Sequence, residues 1–307
     1  MIKTLTAANR SEKTPFKIPR SVQQSIPIQM IYPDGIFHVG MKHSKTWRFA
    51  DVNYIAASEE VKRSIFKSYS GVLNSLPTDA AAKITIINRK LNPVAFEHSI
   101  LMRERGDELD KYRIESNRIM KGKSAESNDL VQEKYITLSI PVRKIEATRD
   151  YFRRVEGNLT KSFGRLDSGA RPISCHERLR IFHDFFRPGE EQHFTFDVAS
   201  AIRRGVDFKD YICPDSISFK ADHSEMGGKF GRVLFLKTYA SYVDDEMISA
   251  LSDFSRSLMI SIDMLPIPTD EAVKDVQSQI LGIEADVSRW QQRQNSRIHW
   301  ESAPQKR

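Results

Sequence analysis

The spacing of apolar residues predicts three amphipathic helices in the first two thirds of the chain. In residues 58–76 apolar side chains recur every three or four positions, and Pro77 ends the pattern. The apolar positions of this helix are Val61, Ile65, Phe66, Tyr69, Val72, Leu73 and Leu76. A second helix repeats the pattern at Tyr151, Phe152, Val155, Leu159 and Phe163. The third, residues 175–186, is closed by Pro188 and Gly189. Each stripe predicts a helix with one face on a core.

Runs rich in β-branched residues predict strands between and after these helices. The predicted strands are residues 35–41, 46–52, 82–91, 133–142, 231–241 and 257–267. The first two flank a turn-prone stretch at 42–45 and predict a hairpin. Residues 244–254 predict a short helix, and Thr269 begins a long one. Strands and helices alternate with hairpins mixed in, which predicts an α+β fold with ferredoxin-like βαβ units that ends in a long C-terminal helix.

The order of these elements predicts two folded subdomains between polar ends. We expect a flexible basic tail at 1–20, an N-terminal α+β subdomain at 21–165, a second α+β subdomain at 166–268, the long helix at 269–297 and a divergent tail at 298–307. The second subdomain includes a less regular stretch, residues 190–222, whose aromatic and apolar side chains we assign to a core. They are Phe194, Phe196, Val198, Phe208, Tyr211 and Phe219.

The last helix has a more specific pattern than the others. Its apolar residues are spaced 3, 4, 3, 4 and 3 apart, at Val273, Val276, Ile280, Ile283, Val287 and Trp290. This is a heptad spacing over nearly three repeats, which is shorter than a secure coiled coil. Two interpretations remain open. The stripe packs on the chain's own sheet, or it is an arm that contacts another domain or subunit.

Composition and charge exclude several classes of protein. The chain has 307 residues, of which 40% are hydrophobic and 28% charged, values typical of a globular protein. It lacks an apolar run long enough for a membrane helix and an N-terminal signal peptide, so we expect a cytoplasmic protein. The net charge is +7, but residues 1–20 and 288–307 each contribute +4, which leaves −1 on the body. A basic face for specific nucleic-acid binding is therefore not expected.

One short segment resembles the end of a phosphate-binding loop. Gly122, Lys123 and Ser124 match the final letters of G-x-x-x-x-G-K-[ST], but Asn117 stands where the first glycine is required. The segment before it is charged and has helical spacing, whereas a phosphate-binding loop follows a buried strand. We interpret the match as false and place these residues in a solvated linker.

Other candidate groups lack the partners that chemistry requires. Cys175, His176 and His183 lie on one helix without a further ligand at metal-binding spacing. The carboxylates of residues 244–246 stand at a predicted helix start, where they favour the helix dipole. Gly227 and Gly228 fit a hairpin or a strand-entry loop better than a phosphate site. We therefore predict no catalytic, metal, nucleotide or cofactor residues, and expect that the chain is not an enzyme.

Several blocks of the sequence, taken together and in order, resemble a known family. They are SIPIQMIYPDGIFHVGMKHSKTWRFADVNYIAASEEVKRSIFKSY, EKYITLSIPV, HERLRIFHDFFRPGEE, FKDYICPDSISF, KFGRVLFLKTYASYVDDEMISALSD and IPTDEAVKDVQSQI. With these blocks, the chain from about Ser21 to about Gln294 resembles the N-terminal region of the conjugative-transfer ATPases of Gram-positive type IV secretion systems. These are relatives of the fourth VirB protein, of the TraE and TrbE type.

The resemblance implies a non-catalytic docking or assembly domain. Complete members of that family continue into an ATPase domain that uses ATP and magnesium. The present chain lacks its motifs, so we expect a truncated or split form. Its implied partners are the inner-membrane subunits of the secretion channel and further copies of itself, at the inner face of the membrane. Specific nucleic-acid binding is not implied. The alternative hypothesis is a stand-alone binding module or an enzyme with an unrecognised site.

Overall fold

The computed structural model describes residues 19–54, 56–90, 100–126, 130–191, 193–235, 237–238, 246–254 and 256–301. Its strands are β1 (Ile28–Ile31), β2 (Phe37–Val39), β3 (Lys42–Phe49), β4 (Ala81–Lys90), β5 (Leu130–Pro141), β6 (Ala170–Pro172), β7 (Ile217–Phe219), β8 (Ser224–Met226), β9 (Lys229–Gly231) and β10 (Leu258–Met264). Its helices are α1 (Val22–Ser25), α2 (Glu59–Asn74), α3 (Asp110–Glu126), α4 (Ile145–Gly164), α5 (Cys175–Phe186), α6 (Val198–Arg204), α7 (Lys209–Ile212), α8 (Glu246–Ser252) and α9 (Thr269–Glu301). This confirms an α+β fold that ends in a long helix.

The larger sheet contains a ferredoxin-like unit. Its strand order is β1-β2-β3-β5-β4-β10, β6 pairs with the free part of β3, and every pairing is antiparallel. Along the chain, β3, α2, β4, β5, α4 and β6 occur in this order, with α3 inserted between β4 and β5, and in the sheet β5 lies between β3 and β4. This is the βαββαβ connectivity of ferredoxin-like folds. A small separate sheet has the order β7-β8-β9.

The main core lies between one face of the large sheet and the helices α2 and α4. The apolar stripe predicted for α4 is buried in full, because all five of its members face the sheet. Trp47 of β3 is completely buried there and its ring lies 5.9 Å from that of Phe152. Along α2 and just after it, Val72 and Leu76 are buried in this core and Ile65 and Leu73 pack against it half-buried, whereas Phe66 is 68% exposed. The stripe predicted for α2 is therefore only partly a core stripe.

The opposite face of the sheet is partly covered by α5. Ser174 caps this helix: its hydroxyl accepts from the backbone of Glu177, whose carboxylate accepts in return from the backbone of Ser174. Leu179 on α5 and Phe37 on β2 are fully buried in a second apolar cluster. The stretch 190–222 contributes Phe196 to that cluster, as predicted.

Three local predictions differ from the structure. The first hairpin turns at Gly40 and Met41, two residues before the predicted turn, because β3 already begins at Lys42. Residues 232–235 form no strand and are exposed, and the remainder of that predicted strand lies mostly outside the described residues. Phe219 is 74% exposed and belongs to no core.

The large sheet includes strands from both predicted subdomains. β6 and β10 lie in the range 166–268, and they pair with β3 and β4 of the range 21–165. The predicted boundary at 165 and 166 therefore passes through a continuous hydrogen-bonded sheet. Most of the predicted basic tail, residues 1–18, and the end of the predicted divergent tail, residues 302–307, lie outside the described residues.

Candidate functional site

Helix α9 presents an apolar stripe to solvent. Every described side chain from Val273 to Gln291 is exposed. The predicted heptad residues are between 48% and 64% exposed, and we call this set the α9 seam: Val273, Val276, Ile280, Ile283, Val287 and Trp290. Of the two interpretations of the stripe, packing on the chain's own sheet is therefore wrong for the residues that the structure describes. The seam is available to a partner.

Backbone hydrogen bonds and charge at the start of α9 favour the helix there, although the α9 seam does not pack on the body. The carbonyl of Pro268 accepts hydrogen bonds from the backbone N–H groups of Glu271 and Ala272, at 3.0 and 2.9 Å. Asp270 and Glu271 place negative charge in the first turn, where it favours the helix dipole. The 33 residues of α9 correspond to a length of about 50 Å.

The false phosphate-binding loop lies in a helix, not in the linker that the sequence analysis predicted. Gly122 and Lys123 belong to the end of α3 and are exposed, and the side chain of Ser124 lies outside the description. A phosphate site uses the free N–H groups at a helix start. At the end of a helix the free groups are carbonyls and the dipole is negative, so this position disfavours phosphate.

Replacement of Lys123 with alanine is therefore expected to leave nucleotide binding unchanged. Titration of the purified chain with ATP and magnesium should give the same signal for the wild type, for Lys123→Ala and for Lys111→Ala, a control on the same helix. A tenfold or greater loss of ATP affinity in Lys123→Ala alone would show that this segment is a nucleotide site.

The two histidines of α5 surround an aromatic ring. His176 and His183 each lie 5.0 Å from the ring of Phe194, measured between centroids. Nδ1 of His176 is hydrogen-bonded to the backbone carbonyl of Phe196 at 2.7 Å. Nδ1 of His183 lies 3.2 Å from a carboxylate oxygen of Asp184. Among the described residues, no group of three or more His, Cys, Asp and Glu side chains could hold a metal ion.

The other candidate groups also lack a reactive arrangement in the described part of the chain. Burial raises the pKa of the Cys175 thiol to about 11, so it stays protonated at neutral pH. Asp244 and Asp245 lie outside the described residues, as does the side chain of Glu246. Gly227 and Gly228 form the turn between β8 and β9 with positive φ angles of 50° and 75°, so of the two expected arrangements the structure has the hairpin.

The structure adds a groove that the sequence analysis missed. It lies between α5 and the sheet face opposite α2 and α4, and we call it the underside groove. It consists of two adjoining cavities of about 280 and 470 Å³. Ile87, Tyr135, Ile181, Phe185 and Met259 line both of them. The alternation of residues in β5 could have indicated this second, polar face of the sheet. Polar residues at 133, 137 and 139 alternate there with buried Ile136, Leu138 and Ile140.

A buried carboxylate organises one end of the groove. Glu133 is 6% exposed, and Arg89 contacts both of its oxygens at 2.7 and 3.0 Å. Arg48 lies 3.2 Å from the same carboxylate, and the hydroxyl of Tyr135 donates to it at 2.9 Å. These contacts join β3, β4 and β5. We call these four residues the Glu133 cluster.

The chemistry of the Glu133 cluster is that of a satisfied ion network. Burial acts to raise the pKa of Glu133, but the hydrogen bond and charge of Arg89, with the charge of Arg48, hold it below its ordinary value. Burial and the neighbouring carboxylate raise the pKa of Tyr135. At neutral pH the carboxylate is therefore ionised and the phenol protonated, which is the arrangement of a structural contact.

Comparisons with known proteins assign no family. No family model matches the chain, and no curated protein matches it. In the part of the chain that the structure describes, no helix is both long and apolar enough to cross a membrane.

Proposed function

We propose that this chain is a docking and assembly module of a conjugal DNA-transfer motor, and that the α9 seam is its contact element. The observation that carries the proposal is the exposure of every described side chain from Val273 to Gln291, six of which form an apolar stripe. The sequence blocks described above support the assignment to a type IV secretion motor. The general role as an assembly module rests on the geometry of α9.

An exposed stripe of this kind favours a helical partner. Complete burial of a Val or Ile side chain stabilises a protein or a complex by about 1.5–3 kcal/mol. Six half-exposed apolar residues could therefore stabilise a complex considerably when a partner covers them. The seam extends over 18 residues, or about 26 Å, and its heptad spacing fits the side of another helix. Contiguous apolar surface of this kind marks interaction sites in proteins.

The body of the chain supports this role because it fixes where α9 begins. The helix follows β10, which pairs along its whole length with β4. The large sheet therefore anchors the first residue of α9, while the seam stays free for a partner. In the proposed setting the chain assembles both with inner-membrane subunits of the channel and with other copies of the motor chain, and ATP and magnesium belong to a separate ATPase domain.

A binding experiment with a matched control tests this proposal. The purified chain is captured on beads together with the detergent-solubilised inner-membrane subunits of the channel. We expect retention of those subunits by the wild type, and at least a tenfold loss in the double variant Ile280→Asp, Val287→Asp. The control is Leu281→Asp, which introduces one aspartate charge at a residue that is 65% exposed but lies off the seam.

Two outcomes of the binding experiment would contradict the proposal. One is failure of the wild-type chain to retain any channel subunit. The other is equal retention by the wild type and the seam variant. Far-UV circular dichroism of each variant verifies that α9 still forms, so that a loss of binding reports on the seam and not on unfolding.

A further inference from the structure

The α9 seam has a mirror-like order of residues. The first and last members are Val273 and Trp290, the second and fifth are both valine, and the third and fourth are both isoleucine. Because the spacings 3, 4, 3, 4 and 3 read the same in both directions, a copy of the helix turned end to end places its own seam in register. In each opposed pair of seam residues, the two residue numbers then add up to 563.

We infer that the seam pairs with the seam of a second copy of this chain, and that the two helices run antiparallel. Three kinds of contact layer result. Val273 of one copy faces Trp290 of the other, Val276 faces Val287, and Ile280 faces Ile283. The inference rests on the proposed function, since it identifies the partner of the same contact element.

The sizes of the side chains favour the antiparallel arrangement. It opposes the largest seam residue, Trp290, to the small Val273, and fills the four inner layers with branched residues of similar size. A parallel pair would oppose Trp290 to its own copy. In heptad letters, Val273, Ile280 and Val287 are the a positions of the seam, and Val276, Ile283 and Trp290 are its d positions. Parallel dimers prefer leucine at d, where this seam has Val276 and Ile283. Large side chains opposite small ones pack without strain or voids.

The charges at the two ends of α9 favour the same arrangement. Residues 269–275 carry three acids and one lysine, a net charge of −2, whereas residues 289–297 carry three arginines and no acid, a net charge of +3. Antiparallel pairing places the acidic start of each helix beside the basic end of the other. The two helix dipoles then point in opposite directions, so the partial positive charge at the start of each helix lies beside the partial negative charge at the end of the other. Parallel pairing would place like charges side by side at both ends.

The residues that flank the seam do not oppose this pairing. In the antiparallel register each e position of one helix faces an e position of the other, and each g position faces a g position. Gln277 then faces Glu284 of the other copy, and Gln279 faces Asp286. Each acid is opposite an amide, which can donate a hydrogen bond, and no two like charges meet.

Mass measurement of mixed variants tests both the pairing and its direction. By light scattering of the full chain, we expect the wild type to approach twice the chain mass of 35.3 kDa as its concentration rises. Ile280→Lys alone and Ile283→Glu alone should remain monomers. An equimolar mixture of the two should dimerise again, because the opposite charges introduced at positions 280 and 283 face each other in the antiparallel register only. Leu281→Lys, off the seam, should dimerise like the wild type.

Cysteine cross-linking gives an independent measure of direction. Antiparallel pairing brings Val273→Cys of one copy against Trp290→Cys of another, while two copies of Val273→Cys lie about 26 Å apart. We therefore expect a disulfide dimer from the mixture of the two variants, and at least tenfold less from either alone. The native Cys175 and Cys213 are buried, so the wild-type chain serves as the background control.

The outcomes separate this inference from the proposed function. A wild-type chain that stays monomeric at 100 μM in the presence of folded α9 would overturn self-pairing, and a disulfide between two copies of Val273→Cys would overturn the antiparallel direction. Neither result concerns the retention of channel subunits, which is measured separately with the Ile280→Asp, Val287→Asp variant. If the chain dimerises but retains no channel subunits, only the proposed function is overturned.

Discussion

Replacement of Arg178 by alanine is expected to lower the free energy of unfolding by about 3–5 kcal/mol. Arg178 lies on α5 and is 6% exposed. Its guanidinium donates to the carbonyl of Gly35 at 3.0 Å and to the carbonyl and hydroxyl of Ser44, both at 2.7 Å. It also lies 4.2 Å from the ring centroid of Phe37. Alanine would remove these three buried hydrogen bonds and open a cavity beside the first hairpin.

The cation at Arg178 is unusual because no carboxylate pairs with it among the described residues. Burial lowers its pKa, since a charge in an apolar interior loses its hydration. Arginine nevertheless keeps its proton in proteins, and carbonyl dipoles together with an aromatic face replace part of the lost hydration. Gly35 has a positive φ of 78°, and a Cβ there would lie 2.4 Å from the carbonyl of Ile173. Only glycine therefore allows the close approach that presents this acceptor to Arg178.

Two further variants separate the causes of the Arg178 effect. Arg178→Met fills most of the space but donates no hydrogen bond, so we expect a smaller loss of about 2–3 kcal/mol. Arg153→Ala removes an arginine whose side chain is 78% exposed, and should change stability by less than about 0.5 kcal/mol. Urea unfolding followed by far-UV circular dichroism measures all three. A loss below about 1 kcal/mol in Arg178→Ala would show that this guanidinium does not join α5 to the hairpin.

Periodicity predicted those parts of the fold in which one face of an element is buried. The stripe of α4 is a case in which sequence alone was sufficient, because all of its apolar positions meet the sheet. The stripe of α2 has the same period, yet Phe66 is exposed, since period alone does not determine how much of a helix lies over the sheet. For α9 the pattern left two interpretations, and only the structure shows that the stripe is exposed.

The buried polar groups could not be predicted in the same way. Arg178 lies in an ordinary amphipathic sequence, where arginine usually faces water, and its acceptors are more than 130 residues away in the chain. Glu133 lies in β5, whose alternation of polar and apolar residues could have indicated a second, polar sheet face. That alternation does not identify Arg48 and Arg89 as partners, because the strand order that brings them together is a tertiary property.

Removal of the Glu133 carboxylate is expected to be as costly as removal of Arg178. Glu133→Ala would leave Arg89 and Arg48 without their common partner in a largely buried site, and we expect a loss of about 3–5 kcal/mol. Glu133→Gln keeps the shape and one acceptor oxygen but not the charge, so its loss should be smaller, about 2 kcal/mol. Glu115→Gln is the control, because the side chain of Glu115 is 54% exposed and its ion-pair partner among the described residues is exposed Arg118 on the same helix.

The pH dependence of stability identifies the charge of Glu133 as the cause. Its pKa in the folded protein lies below the ordinary value of 4.5. Stabilisation by the ionised carboxylate is therefore fully present above the pKa of the unfolded chain, and is lost as pH falls through the folded-state pKa. The difference in unfolding free energy between the wild type and Glu133→Gln should stay constant from about pH 7 to about pH 5.5 and then shrink on further acidification. A difference that stays constant or grows in acid would show that the cluster does not depend on this charge.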